Sequence, residues 1–237
     1  NFGVVWQATA DLDFSVDLWS ITQDNKIDEV PFGDVYQAEC GNQNSIICIR
    51  FTPQPGQTLG TLDRINNGYF NVSSQEAQGL DLSGNYKLDL GDNGLLKFNL
   101  EWTYLDEFEK DNRSYAGEYR YPQYRWVTSA DWSMNDWGVA GSLSYIGEFE
   151  DTPDINFDGT LDFDTETSRM VDSQLTVDTQ LYYNWDASTK LMLGVSNLLD
   201  EEPPRVSDRG DPDMRREGNS AFYSQYDSLG RRVFLNL

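Results

Sequence analysis

Apolar and polar residues alternate singly along much of this chain, the period of a β-strand with a different environment on each face. The clearest run, LLKFNLEWTY, puts Leu96, Phe98, Leu100, Trp102 and Tyr104 on one face and Lys97, Asn99, Glu101 and Thr103 on the other. LDFSVDLW, GLDLSGNYKL, WGVAGSLSYI and SQLTVDTQLYYNW follow the same rule, setting Phe14, Leu82, Val139 and Val177 against Asp13, Asp81, Ala140 and Asp178. In KLMLGVSNLLDEEPPRV the apolar set is Leu191, Leu193 and Val195, opposite Lys190, Met192, Gly194 and Ser196. That strand stops at Asn197 and the following acids, and Pro203 and Pro204 cannot continue a hydrogen-bonded ladder. Helical periodicity is nearly absent, so the pattern predicts an all-β meander of about nine strands.

The connections sort by length. Short turns are expected near residues 9–11, 89–94, 133–136 and 186–188, and long polar loops near 23–68, 107–120, 147–168 and 200–220. Strict alternation of short and long connections gives a sheet with tight turns along one rim and elaborate loops along the other. Outer-membrane barrels are built this way, with short periplasmic turns and long extracellular loops. Aromatic residues also gather at strand ends: Trp137 opens a strand that Tyr145 closes, Trp126 and Trp132 bracket another, and Trp102/Tyr104 and Tyr183/Trp185 sit at termini. A strand of about eight residues at ~3.3 Å each, tilted by about 40°, nearly covers the ~25 Å apolar band between aromatic girdles. In that reading Leu191, Leu193 and Val195 face lipid, and Lys97, Glu101, Arg125, Asp131 and Asp178 face a polar lumen.

Composition leaves this reading intact and removes others. The chain has 237 residues, 38% of them hydrophobic, and a mean hydropathy of −0.60, with no apolar run long enough for a membrane helix. A net charge of −23 argues against nucleic acid as a partner. The absence of histidine removes imidazole metal ligands and Ser-His or Cys-His catalysis. Carboxylates are so frequent that no pair of them singles out an acid–base enzyme, and none is expected. The opening residues, NFGVVWQATA, carry no signal-peptide pattern and read as the middle of a strand.

Three loops carry candidate chemistry. Cys40 and Cys48, in the polar stretch CGNQNSIIC, fit a local disulfide and hence an oxidising compartment. Asp154, Asn156, Asp158, Gly159, Thr160 and Asp162 follow the opening of an EF-hand-type calcium loop, oxygen ligands at alternate positions around a glycine turn. Thr165 stands where the bidentate glutamate belongs, so Asp164 or Glu166 would have to substitute. A solvated acidic loop is the plainer alternative. In RSYAGEYRYPQYRW, Tyr115, Tyr119, Tyr121 and Tyr124 with Arg113, Arg120 and Arg125 can stack on and hydrogen-bond a sugar, peptide or chelate, or form part of an aromatic belt.

The C-terminal segments bear a family resemblance. LMLGVSNLLDEEPPRV followed by FYSQYDSLGRRVFLNL resembles the end of TonB-dependent outer-membrane receptors, with Gly194, Val195, Asn197, Leu198, Leu199, Asp200 and Pro203 at a strand exit. Tyr226, Asp227, Gly230, Arg231 and Phe234 match the last strand of that family. The resemblance implies a barrel of about 22 strands around an N-terminal plug, importing a scarce nutrient with energy from the TonB complex. It places the chain in the Gram-negative outer membrane, with its long loops extracellular and a small molecule, oligosaccharide or peptide as ligand. The chain shows no plug or TonB box and ends at Leu237 without the usual terminal aromatic, so it is expected to be the C-terminal portion of a longer receptor. Two other readings stay open: a passive or structural outer-membrane barrel subunit, and a secreted calcium-binding β-sandwich that holds carbohydrate.

Overall fold

The computed structural model describes residues 1–29, 40–66, 69–110, 113–118, 120–151, 169–204, 225–227 and 229–237. Its strands are β1 (Phe2–Thr9), β2 (Leu12–Glu29), β3 (Cys48–Arg50), β4 (Leu62–Ile65), β5 (Tyr69–Asp89), β6 (Leu95–Lys110) and β7 (Arg113–Ser114). They continue as β8 (Tyr124–Met134), β9 (Trp137–Ile146), β10 (Phe149–Asp151), β11 (Arg169–Val171), β12 (Gln174–Asn184), β13 (Lys190–Ser196) and β14 (Arg232–Asn236). Nine of them form one antiparallel meander in the order β1-β2-β5-β6-β8-β9-β12-β13-β14, the number and succession that the alternation predicts. The short β7 pairs beside β6, and β3-β4 and β10-β11 are separate hairpins within the long connections.

Register confirms the two faces. Directly paired residues share a face, and the pairs Val4↔Val16, Val16↔Leu82, Leu82↔Trp102, Trp102↔Trp126, Trp126↔Tyr145 and Leu181↔Leu193 carry the apolar set from strand to strand. Many of these side chains lie open, among them Val4, Leu100, Val139, Leu181, Leu193 and Leu235. No second layer of described residues covers them. An apolar face of this extent, exposed across nine strands, belongs against lipid rather than water. A β-sandwich would bury one such face against a second sheet, so that expectation fails here.

Aromatic rings edge the apolar face at both ends of the strands. Toward the long loops, Tyr104 stacks on Tyr124 at 5.0 Å and Trp126 on Tyr145 at 5.3 Å. Toward the tight turns, Trp137 meets Tyr183 at 4.6 Å and Trp6 meets Phe14 at 4.8 Å. The Trp132 indole donates to the Asn93 carbonyl in the adjacent turn at 2.9 Å, so an amphipathic ring keeps its apolar body on the sheet and its N–H on a polar partner. The tight turns satisfy themselves. In the connection from β12 to β13, Ser188 donates its N–H and its hydroxyl to Asp186, each at 2.8 Å, and these bonds hold the Asp186 carboxyl below its ordinary range.

Candidate functional site

The polar face is concave and encloses a cavity of about 710 Å³ whose lining includes Asp13, Asn85, Lys97, Asp131, Asp178 and Phe234. Its side chains bond across strands. Asn85 donates to Asp13 at 3.0 Å, Asn99 donates to Asn85 at 2.9 Å, and the Ser15 and Ser83 hydroxyls meet at 2.9 Å. Three large rings also face inward, each lying over a glycine directly opposite on the neighbouring strand: Trp19 over Gly79, Tyr182 over Gly138 and Phe234 over Gly194. A Cβ at any of these glycines would collide with the ring. Tyr182 is further fixed by its hydroxyl, which reaches both Asp131 carboxylate oxygens at 3.0 and 3.2 Å, and by Lys190, whose Nζ lies 3.8 Å from the ring centroid. Single-strand alternation flags none of these pairs, because the partners lie on different strands.

The long-loop rim holds most of the predicted site residues. Cys40 and Cys48 are joined, as expected, with Cα atoms 5.2 Å apart and both residues buried. Arg50 clamps the staple. Its Nε and Nη2 donate to the Cys40 carbonyl at 3.2 and 2.6 Å, and its Nη1 donates to the Gly60 carbonyl at 2.8 Å. Gln43 closes the knot by donating to Phe51 O at 3.1 Å and accepting from Gly60 N at 2.7 Å. On the next loop, Tyr115 and Tyr121 pack around Phe108, with Tyr121 at 4.4 Å from it, while Tyr124 belongs to the aromatic belt instead. Arg120 is exposed beside them at φ 76°. Tyr119 lies outside the described residues, as do the calcium-loop candidates Asp154, Asn156, Asp158, Thr160 and Asp162.

The motif residues near the C-terminus are brought together. Asn197 and Asp200 adopt left-handed backbone, at φ 51° and 59°, as short polar residues can. The Asn197 side chain accepts from Glu201 N and donates to Glu201 O, both at 2.9 Å, closing the turn that Leu198 and Leu199 occupy. Its own N–H reaches Asp178 on β12 at 2.8 Å. Asp200 then accepts from Arg231 N at 2.9 Å, and the Arg231 guanidinium reaches Leu198 O at 3.2 Å, so the strand exit and the entry to β14 are tied. Gly230, at φ 67°, packs its Cα beside that carboxylate. Pro203 follows the turn in irregular backbone.

Tyr226 goes elsewhere. With Phe149 and Val171 it forms a small buried core among the long loops, resting on Ile146 at the end of β9. Burial pushes its phenol up to about 12, against the opposing pull of the Arg125 charge. The sequence did not reveal Phe149 and Val171 as core, since they come from a short hairpin inside a polar loop.

These features, a nine-strand meander with lipid-type and lumen-type faces and sorted loops, coincide with a sequence match. A family model described as TonB dependent receptor-like, beta-barrel, aligns with residues 1–198. The chain belongs to that family. A comparison with curated proteins finds no match. Among solved structures, the siderophore receptor PirA from Acinetobacter baumannii superposes with a TM-score of 0.62 at 16% identity, covering 98% of this chain and 30% of PirA. The ferric enterobactin receptor PfeA from Pseudomonas aeruginosa gives 0.62 at 17% identity, covering 98% of this chain and 29% of that one. The pyoverdine outer membrane receptor FpvA from Pseudomonas aeruginosa PAO1 gives 0.56 at 13%, covering 95% and 27%. At these identities the likeness is one of fold. The chain spans less than a third of each of these receptors' length.

Proposed function

We propose that this chain forms part of the barrel of an outer-membrane receptor that binds a scarce nutrient at its long-loop rim and imports it with TonB-derived energy. The family match over residues 1–198 carries this reading. Two physical features support it: a continuous apolar exterior between aromatic belts, and a concave polar interior suited to a hydrated passage or an internal domain. The long loops, knotted by Cys40–Cys48 and by the Phe149 core, face the medium in this reading, and the tight turns face the periplasm. β1 and β14 end the sheet, and open strand edges are costly in hydrocarbon. Further strands therefore pair with them, and an internal plug provides the contact with TonB. Cargo of the kind named for PirA, PfeA and FpvA, a ferric chelate, is the first class to try.

Whole-cell uptake tests the reading. Cells carrying the full receptor are offered iron-loaded siderophores, cobalamin and maltodextrins, with and without a protonophore and with and without TonB. Accumulation of one of these that needs the receptor, TonB and the proton gradient is expected. Uptake indifferent to TonB and protonophore would instead identify a passive barrel, and uptake indifferent to the receptor would remove transport of these cargoes altogether.

A further inference from the structure

A row of inward-facing positions crosses three adjacent strands just below the long loops: Arg125 on β8, Ile146 on β9 and Gln174 on β12. Neighbouring strands lie about 4.8 Å apart, which puts the outer two backbones within ~10 Å, inside the reach of an arginine side chain. Tyr226 packs over Ile146, the middle member, and is close enough to Arg125 for its charge to act on the phenol. The same place collects buried polar atoms without a well-formed hydrogen bond among the described residues: Gln174 Nε2, the Tyr226 hydroxyl, and both amide atoms of Gln225, the Gln225 amide lying near enough to act weakly on the phenol. Gln174 and Tyr226 are 4% and 3% exposed, so bulk water does not serve them. A buried polar group left unmet is costly, and several in one place call for a common partner.

We propose that Arg125, Gln174 and Tyr226, with Gln225 beside them, form an oxyanion-binding subsite that takes a carboxylate or phosphate group of the imported molecule. The donor set decides the chemistry. A guanidinium fork, an amide N–H₂ and a phenol O–H all present hydrogens, and together they match a planar carboxylate or a phosphate face better than a neutral hydroxyl. Charge points the same way. Arg125 makes no ion pair among the described residues and is the sole cation in a register row that continues through Thr103 to Asp81 and Asp17. The inference rests on the importer reading, whose cargo passes this rim.

The test uses the full-length receptor purified in detergent, its folding checked by heat-modifiable gel migration, and titrated calorimetrically with citrate, inorganic phosphate and trehalose. Citrate or phosphate is expected to bind while trehalose does not; citrate the tighter indicates a carboxylate group, phosphate the tighter a phosphate group. Arg125→Gln should weaken the anion about tenfold or more, the loss of one charge-assisted contact, and Arg125→Lys should restore part of it. Tyr226→Phe, which keeps the ring in its core, should weaken it several-fold. If neither anion binds, or if both bind folded Arg125→Gln and Tyr226→Phe as they bind wild type, the subsite is refuted. Energised uptake in cells, measured separately, then tells whether the importer reading survives that loss.

Discussion

Gly138, Gly194 and Gly79 show what a single missing side chain does in this sheet. Each leaves a notch on the inward face that a ring from the paired strand fills, so the ring gains contact area and the two strands can slip past one another only by unseating it. Tyr182 is the most fully seated, 7% exposed and bonded to Asp131. Gly138→Ala should therefore destabilise the folded protein by about 1–3 kcal/mol, the usual cost of forcing a methyl into a filled site. Gly141→Ala, whose added methyl would meet only the Asp178 carbonyl at 3.3 Å, should cost less. Midpoints of urea unfolding followed by gel mobility separate the two, and equal midpoints would show that the Tyr182 ring is not held in the notch. The sequence displays these glycines inside alternating strands but not their partners, because register is a property of two strands at once. The turn of Asn197, Asp200 and Arg231 was easier to foresee: its residue types carry the turn chemistry locally, and only the bond from Asp200 to Arg231 N spans a long separation.

At the scale of elements, strands were legible and loops were not. A strand between lipid and lumen must alternate along its whole length, so period and turn residues locate the nine strands of the meander, though not the short hairpins inside the long connections. β2 nevertheless runs on to Glu29, beyond the expected start of the loop near residue 23, whereas β5 begins at Tyr69, where that loop was expected to end. Polar sequence there still pairs, since ladder hydrogen bonds outside the membrane need no apolar side chains. Inside the loops, order comes from a few contacts that no periodicity announces: Arg50 on the Cys40 and Gly60 carbonyls, and Phe149 with Val171 under Tyr226. The disulfide alone was readable, from the spacing and setting of Cys40 and Cys48. Closing a loop this short is worth about 2–3 kcal/mol to the knob. Cys40→Ser with Cys48→Ser should hence make residues 40–66 cleavable at protease levels that spare the native loop, with heat-modifiable migration of the barrel unchanged. Equal resistance with and without the bond would mean that the Arg50 and Gln43 contacts suffice.

At the scale of the whole molecule, the described residues enclose almost no interior of their own. Their buried apolar cluster lies among the loops, while the nine long strands offer lipid-type side chains on one side and a charged, hydrogen-bonded surface on the other. Such a sheet is stable only where the surroundings supply both solvents, a bilayer outside and water or protein inside. This explains how a chain of mean hydropathy −0.60 can belong to a membrane: half of each strand's side chains never meet lipid. It also explains why composition by itself left a secreted sandwich open until the described residues were seen to form one sheet with no covering layer among them.

The most direct test places single nitroxide labels from Lys190 to Ser196, leaving out Gly194, in the full receptor in outer-membrane vesicles and measures collision with oxygen, which concentrates in lipid, and with a water-soluble nickel chelate. Labels at 191, 193 and 195 should collide mainly with oxygen, and those at 190, 192 and 196 should not, giving a period of two along β13. Chelate access at every position, or no alternation at all, would contradict a strand that divides lipid from lumen, and with it the membrane barrel.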